Sequence, residues 1–167
     1  SSDLGRLSGT QYTPEKGWDE NKLDFFRRHI VQLGRSGLFV VYDELVGKEP
    51  VEWNYLLHTV ELPMEVAEET DGLRILGKNK ADGVSIAHLF SSQKMTYAQT
   101  DTFFVAAVDW KKRLGKTLSN HYHFTATTAS CSKICFLNVI DVHGNNRADA
   151  VINRERNRIT VEEWVIE

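Results

Sequence analysis

Turn residues cut this chain into short runs rich in β-branched and aromatic side chains, and almost nothing in it carries the three-to-four-residue apolar spacing of an amphipathic helix. Phe39-Val40-Val41-Tyr42-Asp43-Glu44-Leu45 and Val51-Glu52-Trp53-Asn54-Tyr55-Leu56-Leu57 are of this kind, with Gly47 and Pro50 supplying a break between them. The pattern continues to Ile159-Thr160-Val161-Glu162-Glu163-Trp164-Val165-Ile166, which reads as one last strand. Strands of this sort bury one face against a second pleated layer. The expectation is therefore an all-β antiparallel sandwich of about ten strands, with function carried by sheet faces and connecting loops.

Residues 1–22 hold no sustained period and read as an N-terminal arm or linker, in which Thr13 and Pro14 suit the cap and first position of a single helical turn. Residues 23–167 make the sandwich domain. Leu23 to Leu33 and Leu38 to Leu45, joined through Gly34-Arg35-Ser36-Gly37, read as a hairpin. In the run Val51 to Val60, Val51, Trp53, Tyr55, Leu57 and Thr59 share one face, the better core candidate, and leave Glu52, Asn54, Leu56 and His58 on the other. Asp71-Gly72 and Asp82-Gly83 are strong turn signals, Ser91 to Asp101 reads as a loop, and Thr102 to Trp110 is apolar enough for a strand buried on both faces.

At 167 residues one core can bury most of the apolar surface without staples. The net charge of -3, with both signs interspersed, removes the electrostatic reason to propose nucleic acid or an anionic membrane. No run approaches the roughly 18 to 20 apolar residues of a membrane span. The polar opening Ser1-Ser2-Asp3, without an initiator methionine, suggests an excised or processed piece. Cys131 and Cys135 are separated by an extended step of ~13 Å, beyond disulfide reach. A bond between them needs a hairpin, and the alternative is two small buried residues flanking a turn.

His121 and His123 give the sharpest chemical signal. Two residues apart on a strand they share a face, as two imidazoles presented to one metal ion would, with His58, His88, Asp109 and Asp141 as available third ligands. No cofactor is required, and zinc is the metal such a pair would take. The plainer alternative is one histidine packed at the sheet rim and one in water. His58, with Glu52 and Glu61 near in sequence, has the type and setting of a general acid or base, or of a residue bonded to a sheet neighbour. Trp18 and Trp110, flanked by charged residues, suit exposed platforms for sugar rings, whereas Trp53 alternates with core residues. Lys111-Lys112-Arg113 reads as a solvated loop, with contact to an acidic polysaccharide as its other use. No nucleophile motif, phosphate loop or metalloprotease helix is present.

Phe39-Val40-Val41-Tyr42-Asp43-Glu44-Leu45, Pro50-Val51-Glu52-Trp53-Asn54-Tyr55-Leu56-Leu57-His58, and His121-Tyr122-His123-Phe124-Thr125-Ala126-Thr127 with Phe136-Leu137-Asn138-Val139-Ile140 resemble the C-terminal β-sheet region of the heparinase II/III-like polysaccharide lyases. The resemblance covers most of residues 23 to 141. It implies a bacterial, periplasmic or secreted parent that joins an α/α toroid to β-sheet domains and cleaves uronic-acid-containing polysaccharides such as glycosaminoglycans by β-elimination. In that family the catalytic tyrosine and its partners belong to the toroid. A further histidine and a metal site belong to a glycine- and histidine-rich stretch that this chain lacks, so no catalytic residue carries over. What the resemblance implies here is an accessory C-terminal β-sandwich whose partners are the toroid and the central β-sheet region, with Asp43, Glu44, Trp53 and His58 at family-motif positions in structural roles. The alternative from another class is an autonomous carbohydrate-binding module.

Overall fold

The computed structural model describes residues 12–13, 17–18, 23–34, 37–60, 62–102, 121–144, 146–155 and 158–166. Every regular element among them is a strand: β1 (Tyr12–Thr13), β2 (Gly17–Trp18), β3 (Leu23–Gln32), β4 (Leu38–Val51), β5 (Asn54–Val60), β6 (Glu65–Glu69), β7 (Gly72–Lys78), β8 (Gly83–Ser91), β9 (Met95–Thr100), β10 (His121–Thr128), β11 (Cys131–Gly144), β12 (Ile152–Glu155), β13 (Arg158–Val161) and β14 (Trp164–Ile166). All pairings are antiparallel. No helix among the described residues is long and apolar enough to cross a membrane.

A six-stranded sheet ordered β3-β4-β11-β8-β7-β6 is covered on one face by β5-β10-β9 and on the other by β12-β13-β14. Side-chain alternation explains both covers. Trp53 and Tyr55 before and on β5, and Phe124 and Ala126 on β10, meet Leu73, Ile75, Ala87, Leu89, Ile134 and Phe136 in the larger core. The opposite parity of the same central strands sends Leu38, Val40, Phe90 and Val139 the other way, against Ile159 and Val161 of β13. The sequence places a final strand pair at Ala148 to Asn153 and Arg158 to Ile166 but not its position in the fold, where it forms a second cover.

Several expectations are corrected. β4 does not end at Leu45. It runs to Val51, and Gly47 to Pro50 form extra length where the ladder to β11 slips from Val46 opposite Lys133 to Val51 opposite Cys131. Proline has no amide hydrogen to give to a ladder, and a bulge accommodates it without ending the strand. Ser91 to Asp101 is not a loop, since Met95–Thr100 is an edge strand paired with β10. Its polar composition reflects an exposed edge. The last apolar run is two strands divided at Glu162, which takes a left-handed φ of 54°. Thr13 stands opposite Gly17 in a two-residue ladder, and Pro14 to Lys16 of the expected helical turn lie outside the described residues. Cys131 and Cys135 are free thiols on one extended strand, neither bonded to each other nor flanking a turn. The proposed central strand Thr102 to Trp110 lies, apart from Thr102, outside the described residues, and β11 and β8 hold the centre.

The β3-β4 hairpin forms as expected, and its closing residue is constrained. Gly37 sits at φ +84°, and a Cβ there would run into the carbonyl oxygen of Val142. The Val142 amide in turn donates to the Gly37 carbonyl at 2.8 Å. Gly37→Ala is therefore expected to cost about 2 kcal/mol or more, through left-handed strain plus loss of this close approach, read from the urea midpoint.

Candidate functional site

The larger core is open along the side where β5 overhangs β3 and β4. A cleft of about 800 Å³ lies there, with Phe26, Val41, Leu45, Trp53, Leu57 and Phe136 among its walls. Its polar floor is built by the hairpin register, which sets Arg28 directly opposite Asp43. Arg28 Nε and Nη2 donate to the two carboxylate oxygens of Asp43 at 2.6 and 2.7 Å, a planar fork on a carboxylate only 3% exposed. Asp43 holds the Arg28 guanidinium above its ordinary pKa through that hydrogen bond, against the opposing effect of burial. Beside them the buried Asn138 amide donates to the Tyr55 hydroxyl at 3.0 Å. Burial pushes the Tyr55 phenol up from its ordinary value, so at neutral pH it is a protonated hydroxyl and no general base. The rim is open and mixed: Ile30 is 65% exposed and Leu56 55%, beside exposed Glu52 and Asn54.

The family-motif positions go mostly into this architecture. Asp43 is the locked carboxylate. Trp53 is buried, and its indole Nε1 donates to the Cys131 carbonyl at 2.9 Å, tying the entry to β5 onto the start of β11. Glu44, on the reverse face of β4, stands 3.9 Å from Arg27. His58 lies on the outer face of β5, directly opposite His123, with the two rings edge to face and their centroids 4.7 Å apart, and Glu61, one of the two carboxylates near it in sequence, lies outside the described residues.

The expected pair His121 and His123 does share that outer face, and His58 joins it from the neighbouring strand. The other third-ligand candidates are elsewhere. His88 on β8 meets Glu69 at 3.0 Å, and Asp141 on β11 accepts from Arg147 and from the Ala150 amide. Asp109, Trp110 and Lys111-Lys112-Arg113 lie outside the described residues, and so does the side chain of Trp18. At the opposite mouth of the sandwich, between β9 and β6-β7, a polar cleft of about 810 Å³ carries Glu68, Lys94, Tyr97 and Arg154. Tyr97 there rests on Phe124 with centroids 6.0 Å apart.

The Arg28–Asp43 fork was missed in the sequence although a signal existed. A hairpin centred on the glycine-bounded run 34–37 of the sequence sets 28 opposite 43, and both share the parity of the core-facing side. The His58–His123 pairing had no such signal, because nothing local says that β5 and β10 are neighbours.

No family model matches the chain. No curated protein matches it either. Among solved structures, a heparinase III gene product superposes with a TM-score of 0.48 at 14% identity, over 84% of this chain and 23% of that one. The same product with methylated lysines gives 0.39 at 12% identity, over 94% and 26%. The chain is similar to a heparinase III. It spans about a quarter of the length of the chains it resembles.

Proposed function

We propose that this chain is an accessory β-sandwich domain of a heparinase II/III-like polysaccharide lyase, seated against the catalytic portion or walling its substrate canyon, with no catalytic set of its own. The observation that carries it is the open mouth over β3-β4. A cleft of about 800 Å³ has a floor in which Arg28 is forked on Asp43 and the Tyr55 hydroxyl accepts from the Asn138 amide behind it, and a rim that includes exposed Ile30 and Leu56. Such a surface offers little to turn over a substrate and much to exclude water against another protein layer. The sequence resemblance supplies the partner: the toroid and central β-sheet region of a periplasmic or secreted lyase acting on a uronic-acid polymer.

The test uses this chain and the remainder of its parent as separate polypeptides. The isolated chain is expected to release no unsaturated uronate from a glycosaminoglycan and to associate with the remainder, and Leu56→Asp with Ile30→Asp is expected to weaken that association at least tenfold. Both positions are exposed, so folding is spared. Turnover by the chain alone, or a native gene product with no further domain, refutes the reading. Glycan binding by the isolated chain that disappears in Trp18→Ala or Trp110→Ala replaces it with the autonomous module.

A further inference from the structure

The outer face of the β5-β10-β9 sheet is built almost without charge except for its imidazoles. From β5 it carries Asn54, Leu56 and His58, from β10 His121, His123, Thr125 and Thr127, and from β9 Thr96, Ala98 and Thr100, the register partners of Thr127, Thr125 and His123. Three of the six histidines of the chain are gathered there. His58 and His123 are direct cross-strand partners, the arrangement that brings side chains within about 5 Å at Cβ. Their rings already meet edge to face.

We propose that His58 and His123 form a two-imidazole chelate for a late first-row transition ion of the Zn²⁺, Cu²⁺ or Ni²⁺ class on the outer face of this sheet, with His121 flanking it. Opposed positions on paired strands fix the separation of the two Cβ atoms, and rotation of the rings out of their edge-to-face contact brings one nitrogen of each toward a shared ion. No three His, Cys, Asp or Glu groups among the described residues are disposed to hold an ion, so water completes the coordination. The donor set decides the ion. Imidazole suits Zn²⁺, Cu²⁺ and Ni²⁺, and the described strand positions around the pair offer no carboxylate to attract Ca²⁺ or Mg²⁺. This inference is independent of the accessory-domain reading.

Chelator-treated protein, titrated calorimetrically with Zn²⁺ at neutral pH and micromolar concentration, is expected to bind one equivalent, and Ca²⁺ and Mg²⁺ to give no saturable heat. His123→Ala and His58→Gln should each weaken Zn²⁺ binding at least tenfold, whereas His29→Gln, on the far edge of the central sheet, should leave it unchanged. Because a variant can misfold, the unmodified protein supplies a second readout: the ring resonances of His58 and His123 should move together as Zn²⁺ is added. No stoichiometric Zn²⁺ binding, equal loss in His29→Gln, equal binding of Ca²⁺, or ring signals that stay fixed would each overturn the site.

Discussion

Arg28→Met should lower the unfolding free energy by about 3 kcal/mol, the lower end of the range for breaking a buried ion pair. The reason lies in the asymmetry of the pair. Asp43 is 3% exposed while Arg28 is 46% exposed, so removing the cation strands a carboxylate away from water with two hydrogen bonds unmade. The reverse change, Asp43→Leu, leaves a guanidinium that can still turn toward solvent, and should cost less. Arg28→Met combined with Asp43→Leu should recover much of the loss, because an apolar pair suits walls made of Phe26, Val41 and Leu45. Urea unfolding of the four proteins measures the cycle. A loss below about 1 kcal/mol in Arg28→Met would mean that water reaches Asp43.

Phe124→Ala is expected to cost roughly 3 to 5 kcal/mol, enough to unfold a domain of ordinary stability or bring it close to doing so. Phe124 has no exposure and lies in the larger core among Leu89, Ile134 and Phe136, so the lost ring leaves a cavity walled by two sheets whose positions are fixed by their ladders. Tyr97 would lose its support in the same step. Phe124→Leu should cost less than half as much, since most of the volume is kept. A fall in the urea midpoint with an unchanged slope is the expected record; a changed slope would place the effect in the unfolded state.

Most of the strand content was legible because alternation is a local property. The core face of the Val51 to Val60 run came out as read: Trp53 and Tyr55 are buried, and Leu56 and His58 are exposed. The turns at Asp71 and Asp82 were equally plain, both taking the left-handed conformation that Asp-Gly steps favour. The errors share one cause. Met95–Thr100 is polar because it is an edge strand, Gly47 to Pro50 is punctuation absorbed in a bulge, and the final strands are read as strands without the layer they cover. In each case the deciding contact comes from a distant strand, which local composition does not report. The site divides in the same way. His121 and His123 share a face by spacing alone, but that His58 completes their group follows from a pairing across more than sixty positions of chain.

β11 spans fourteen residues, pairs with β4 on one side and β8 on the other, and sends Ile134 and Phe136 into one core and Val139 into the other. Either outer layer can peel away and leave this strand laddered, whereas its own release requires both layers to be gone. Amide hydrogens between Ile134 and Ile140 thus become the slowest to exchange with solvent deuterons, and opening proceeds from the periphery inward.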